Sequence, residues 1–434
     1  MIARTVPFAA DASARSASAT SALLEIALDV ARWVRASAIR TRAGLVWPSD
    51  PERPEEVSLN LYSGAAGIVL FLLEAYRATG DEGLLEDAER GASHLLGALD
   101  TMRDAGLYTG LGGVGFALGE VFRVTRARRH RAGLLRVVRR LVELARPAAG
   151  GVEWGAFADI LSGTAGTGSF LLYAARAHRS AEAAALALGA GTRLLELATP
   201  VGRRGLRWEP SPGFGRSYPN FAHGTAGVAY FLAALAEDTR DRAILEAAVA
   251  GAEYLKSIAN TDGEGCTLFH HTPGEGENLF YLGFCHGPPG AARLWYRLHR
   301  VTRDPKWLAW TERSARGVLA SGIPEQKTPG FWGNAGACCG SASVAAFFLR
   351  LYRATSNLHY LDFARRMTRQ LLAQATRDAQ GTRWAHAEFR LKPQLVVAQT
   401  GWMQGAAGIG AWLLELDAFE RGRPPRAPFP DDPF

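Results

Sequence analysis

The chain has 434 residues, 48% hydrophobic and 21% charged, which is enough apolar material for a large core and excludes a disordered, fibrous or disulfide-stapled protein. Its formal charge of +7 invites a nucleic-acid reading. The arginines are dispersed, however, and the one dense stretch, RVTRARRHRAGLLRVVRR at 123–140, lacks interleaved aromatics and reads as a solvated helix face, so no nucleic-acid partner is expected.

In chain order, residues 1–20, MIARTVPFAADASARSASAT, lack the apolar core of a secretory signal and are expected to be disordered. From Ser21 a helix with one polar face is predicted, SALLEIALDVARWVRASAI. A different kind of helix follows, SGAAGIVLFLLEAYRATG from Ser63, apolar on most of its circumference and therefore buried. That pattern of a polar residue, glycine, two residues, a small residue and an apolar run recurs six more times. Its glycines stand at 64, 110, 163, 224, 287, 340 and 405. Between copies lie segments with a polar face, such as DRAILEAAVAGAEYLKSI, predicted as outer helices. No strand pattern interrupts the alternation.

Repetition at this period marks a ring or a solenoid. An open solenoid needs polar caps at both ends, yet the first and last inner helices are as apolar as the middle ones. The expected fold is therefore all-α, an (α/α)7 toroid of seven inner and seven outer helices over 21–420. Inner-to-outer connections are short, and outer-to-inner ones are long, up to 261–285. Long loops inside a compact fold carry function, so the site belongs at the N-termini of the inner helices. The tail RGRPPRAPFPDDPF at 421–434 is proline-rich and expected to be disordered. No run reaches about 18 uninterrupted apolar residues, so no membrane span is expected, and a cytoplasmic location is.

The residue before each motif glycine is Ser63, Thr109, Ser162, His223, His286, Cys339 and Gln404. Ser and Thr there suit an N-cap, whose side-chain oxygen accepts an orphan amide. The consecutive His, His and Cys depart from that rule. Cys285 and Cys338 each stand one residue earlier in neighbouring repeats, so the fold brings Cys285, Cys338 and Cys339 to one rim. At positive helix ends thiols ionise more readily, and three soft thiolates suit zinc. A vicinal disulfide between Cys338 and Cys339 is the competing reading. Cys266 stands outside this set, as a loop thiol without an assigned role.

The repeats, with FCHGPPG at 284–290 and CCGSAS at 338–343, resemble the lanthionine synthetase C-like family over 21–420. The resemblance implies a catalytic zinc held by Cys285, Cys338 and Cys339, and addition of peptide cysteine thiols to dehydroalanine or dehydrobutyrine. It makes His223 the catalytic histidine and Asp159, in DILSGTAG, the catalytic aspartate. A basic residue usual in the family four positions before the first zinc cysteine is Tyr281 here; Arg216, His270 or His271 are the groups expected to take its place. The implied partners are a dehydrated precursor peptide and a separate dehydratase. Two other readings stand beside this one. The first is a glutathione-binding or glutathione-adding protein. The second is a toroidal glycosidase using carboxylates among Glu153, Asp159, Glu209 and Glu388.

Overall fold

A computed structural model describes residues 21–434 except 262, 272–275, 277 and 425–427; the expectation for 1–20 lies outside the described residues. Seven inner helices alternate with seven outer ones. The inner helices are α2 (Ala65–Thr79), α4 (Leu111–Thr125), α6 (Thr164–His178), α8 (Thr225–Thr239), α10 (Pro288–Thr302), α12 (Ser341–Thr355) and α14 (Ala406–Glu420). The outer helices are α1 (Ala22–Ala36), α3 (Glu82–Ala98), α5 (Arg128–Leu144), α7 (Ala181–Glu196), α9 (Arg242–Ile258), α11 (Pro305–Ala320) and α13 (Leu358–Ala373). The ring is closed, with α14 packed on both α1 and α2, and the Ser21 hydroxyl that caps α1 also donates to Asp417 of α14.

The two rings differ as their sequences require. Every residue of α8 from Thr225 to Ala236 is buried, whereas α9 buries only a stripe that includes Ile244, Ala248, Gly251 and Leu255, the spacing of one helix face. Six of the seven outer helices begin with a side-chain cap, Ser21, Asp81, Ser180, Asp241, Asp304 or Asn357, and only α5 starts without one, at Ala127. Inner helices have none. Their N-caps are the motif glycines themselves, so the expected Ser and Thr caps are corrected: the polar residue stands one position outside the helix. Steric room is the reason. A Cβ on Gly224 would lie 1.9 Å from the Tyr218 carbonyl oxygen, and one on Gly340 would lie 2.3 Å from that of Asn334. The residue before the glycine is thereby released from capping, and at His223, His286 and Cys339 it lines the cavity described below.

Successive rim loops are joined by backbone hydrogen bonds at the residue two before each motif glycine. Tyr62 donates to Tyr108, Tyr108 to Leu161, Ala222 to Cys285, Cys285 to Cys338, Cys338 to Met403 and Met403 to Tyr62. These six bonds form a belt that joins six of the seven steps around the mouth of the toroid; between Leu161 and Ala222 the ring is closed by the packing of α6 on α8 instead. Among the described residues five short antiparallel strand pairs, including Arg146–Ala148 with Gly151–Glu153 and Ala385–Ala387 with Val396–Ala398, decorate the long loops. Strands of two or three residues are too short for an alternating pattern to show in sequence.

The tail is the larger correction. Residues 428–434 are folded back into the ring rather than free: Phe429, Asp431 and Asp432 are buried. Composition suggested disorder, but its two phenylalanines and two aspartates each find partners along the axis. Phe429 packs on Phe116 and Trp402, and Phe434 stacks on Tyr296.

Candidate metal centre

The rim loops and inner-helix N-termini enclose a cavity of about 390 Å³, lined among others by Tyr62, His223, Tyr281, Cys285, Cys338, Cys339, Glu388 and Arg390. Cys285 and Cys338 occupy equivalent belt positions, and Cys339 follows one residue later, just outside α12. Their three sulfurs lie within 4.8 Å of one another, with Cys285 and Cys338 only 1% and 2% exposed. Two sulfurs bound to one tetrahedral zinc at ~2.3 Å are about 3.8 Å apart. The Cys338–Cys339 pair matches this, the Cys285–Cys339 pair at 2.8 Å is closer and would open on binding, and the three clustered thiols suit such an ion in donor type and number. No disulfide joins them: the Cys338 and Cys339 sulfurs are 3.7 Å apart and all four cysteines are free. Cys338 is held well below the usual thiol range by S–H donation from Cys285 and Cys339, while burial drives the Cys285 thiol up. Uncompensated, such a cluster keeps a single thiolate; a cation would allow all three.

Groups behind the sulfurs orient them, as outer partners of metal ligands do. The Tyr62 hydroxyl donates toward Cys338 and accepts from the Gln404 amide at 2.9 Å, and Gln404 in turn accepts from Asn334 at 2.9 Å. Six inner helices carry a second motif glycine, but α12 has Ser343, whose hydroxyl accepts from the Phe284 N–H at 3.3 Å. The Phe284 N–H also reaches the Cys338 carbonyl at 2.8 Å. Phe284 therefore ties together the two loops that carry the cysteines.

Across the cup His223 Nδ1 meets Asp159 Oδ2 at 2.8 Å, which fixes the tautomer and leaves Nε2 for the cavity. Burial lowers the histidine's pKa, but the hydrogen bond and charge of Asp159 outweigh it, and the net shift is upward. The other oxygen of Asp159 accepts the Ser162 and Gly163 amides at 2.8 and 3.0 Å. His286, adjacent to Cys285, is not among the three ligands; it packs against His270 and Tyr281, and burial together with His270 holds it well below the usual histidine range.

Tyr281 has an unexpected partner. Arg390 Nε donates to its hydroxyl at 3.1 Å, bringing a cation to the place where the family's basic residue is missing. Arg216, His270 and His271 also line the cavity, with Arg216 exposed at the mouth and His270 lowered to about 4 by burial and its neighbouring cations. No sequence signal pointed to Arg390: it lies 109 positions from Tyr281, in a loop without motif glycines. Cys266 lies apart in a separate cavity of about 330 Å³, its thiol pushed up to about 12 by burial. Of the four candidate carboxylates, Glu388 alone lines the cup; Asp159 is held by His223, and Glu153 pairs with Arg193 at 2.8 Å.

A closed ring of helix pairs with a thiol cluster at the mouth of its axis defines a helical toroid built around a metal-shaped cup. The profile of the lanthionine synthetase C-like protein family matches residues 55–428, and the chain belongs to that family. Among solved structures, nisin cyclase superposes with a TM-score of 0.61 at 15% identity, covering 92% of this chain and 94% of that one. A family 76 glycoside hydrolase (mannosidase) from Bacteroides thetaiotaomicron superposes with a TM-score of 0.53 at 12% identity, over 93% and 100% of the two chains. Identities this low speak to the fold, which is shared by proteins of different chemistry. Among the described residues no helix is long and apolar enough to cross a membrane.

Proposed function

We propose that this protein is a zinc-dependent cyclase that adds peptide cysteine thiols to dehydroalanine or dehydrobutyrine, closing lanthionine or methyllanthionine rings. The observation that carries the reading is the cluster of buried Cys285 and Cys338 with half-buried Cys339, facing the His223–Asp159 pair across one cup. The three cysteines would hold zinc, which supplies Lewis-acid stabilisation of a substrate thiolate at an open fourth position. The thiol proton leaves, the sulfur bonds to the β-carbon, and the C=C electron pair moves toward the adjacent carbonyl as an enolate. A proton then returns to the α-carbon, so the addition is balanced without an oxidant or reductant.

His223, whose pKa Asp159 raises, is placed to deliver that proton from Nε2. Tyr281, anchored by Arg390, directs a hydroxyl and a nearby positive charge into the cup, where charge develops on the enolate oxygen. The third thiolate leaves the site more negative than a histidine would, which favours a strongly nucleophilic substrate sulfur and a permissive site. Phe389 and Leu391, 58% and 75% exposed beside the cavity, give the mouth an apolar edge suited to a peptide. Dehydroamino acids form by loss of water from serine or threonine, so a dehydratase must act first, and a cytoplasmic setting fits reduced cysteines.

A glycosidase needs two carboxylates flanking one bond, and among the described residues the cup is lined by one, Glu388. Glutathione addition would use the same thiol chemistry with a smaller nucleophile. Elemental analysis of reduced protein is expected to give about one zinc per chain, lost in a Cys338→Ala, Cys339→Ala double variant. Incubation with a dehydrated peptide should then show loss of free thiol without change of mass. Zinc-free active protein, or addition of glutathione but never of peptide thiols, would overturn the cyclase reading.

A further inference from the structure

The axial channel beneath the cup is filled by the chain itself. Arg423 donates to the Ala78 carbonyl at the C-terminal end of α2, and residues 428–434 lie against Phe116, Trp402 and Tyr108. Asp431 is fully buried; its carboxylate accepts from the Tyr108 hydroxyl at 2.9 Å and pairs with Arg293 at 3.1 Å, and Arg293 also donates to its carbonyl at 2.9 Å. Asp432 pairs with Arg350 at 2.7 Å, and the Pro433 carbonyl accepts from Arg300 at 2.8 Å.

Arg293 connects this segment to the site. Its guanidinium lies 4.5 Å from the centre of the Phe284 ring and 5.5 Å from that of Phe221, a cation on an aromatic face. Phe284 precedes Cys285 and holds the Cys338 loop through its N–H. Only a small void of about 60 Å³, bordered by Phe284, Arg293, Met403 and Phe429, separates the folded-back segment from the cysteine loops.

We propose that residues 428–434 are a built-in plug that makes the toroid a blind cup, and that Asp431 is a positioning residue for the cysteine cluster, acting through Arg293 and Phe284. The positioning half rests on the metal reading above; the plug half does not. A peptide then enters and leaves by the loop face and never threads the ring. Opposite charges buried at this depth favour one arrangement strongly, since separating them leaves each unpaired in a low-dielectric interior.

The test uses the full chain loaded with cobalt(II), whose visible spectrum reports ligand geometry. Asp431→Asn should alter that spectrum and weaken zinc binding about tenfold, as loss of an outer partner does. Phe434→Ala, in the same segment but without a path to Phe284, should lower the melting temperature and leave the spectrum unchanged. Arg293→Lys, which keeps the charge but loses the flat stack on Phe284, should reproduce the spectral change should the aspartate variant fail to fold. An unchanged spectrum and zinc affinity in both Asp431→Asn and Arg293→Lys would reduce the segment to a structural filler. Hydrogen exchange reads the plug independently of metal: the amides of Phe429, Asp431 and Asp432 should exchange as slowly as those of the inner helices. Exchange within seconds would remove the plug, whereas slow exchange in a protein that binds no metal would retain the plug and discard the positioning role.

Discussion

Asp159 holds two kinds of bond at once. One oxygen closes a turn through backbone amides, as Asn60 and Asn220 do through Ser63 and His223 in the first and fourth repeats, and the other holds His223. Asp159→Asn should therefore keep the turn and remove the charge. The carboxylate raises the histidine's pKa, so its loss lowers it. The basic limb of the pH–rate profile for ring closure is expected to move to lower pH, and His223→Gln to reduce the rate about 100-fold or more. The linkage has a definite sign: a raised histidine pKa adds stability below about pH 6.5 that fades as pH rises through the folded value. Denaturant titrations should thus show Asp159→Asn costing more at pH 6 than at pH 9. Both residues were legible from the repeats and the family resemblance, as were the three cysteines. Arg390 was not, because its role exists only through a contact made across the fold, and a lone arginine in a polar loop looks like any other.

At the level of the helices, the glycine pattern proved more informative than the polar residue beside it. Aligning seven copies located every inner helix, but a rule about caps placed the polar side chain one position too far inward. Close backbone approach explains the difference. A Cβ on Gly227 would lie 2.1 Å from the Phe221 carbonyl oxygen, so Gly227→Ala should cost about 3 kcal/mol or more in urea unfolding, since backbone cannot yield as a side chain would. The opposite end of α8 offers a gain. Arg240 closes the helix at φ 60° and is exposed, a left-handed conformation costing an L-residue roughly 1 kcal/mol relative to glycine. Arg240→Gly should raise the urea midpoint accordingly; an unchanged or lower midpoint would mean the arginine contributes more than its backbone loses.

On the scale of the whole molecule, ring closure was readable because both terminal inner helices are apolar and nothing else could cover them. The plug was not, since a proline-rich stretch carries no periodicity and its partners, Tyr108, Arg293 and Arg350, are scattered over the chain. In a ring whose first and last helices meet, local fraying propagates poorly. Loss of helical circular dichroism and release of bound metal are therefore expected to share one urea midpoint, and metal release well ahead of helix loss would show the rim to be a separate unit.

The belt of backbone bonds has a consequence of its own. In a linear stack, small angular errors at each joint accumulate toward the far end. The belt itself is open between Leu161 and Ala222, but the inner helices that carry it pack each on the next all the way round. Around such a closed ring the errors must sum to zero, so each joint is corrected by all the others. The spacing of Cys285 and Cys338 is then a property of the circumference: Tyr62 and Met403, neither of them a metal donor, act as gauge blocks for a tolerance that three sulfurs alone could not keep.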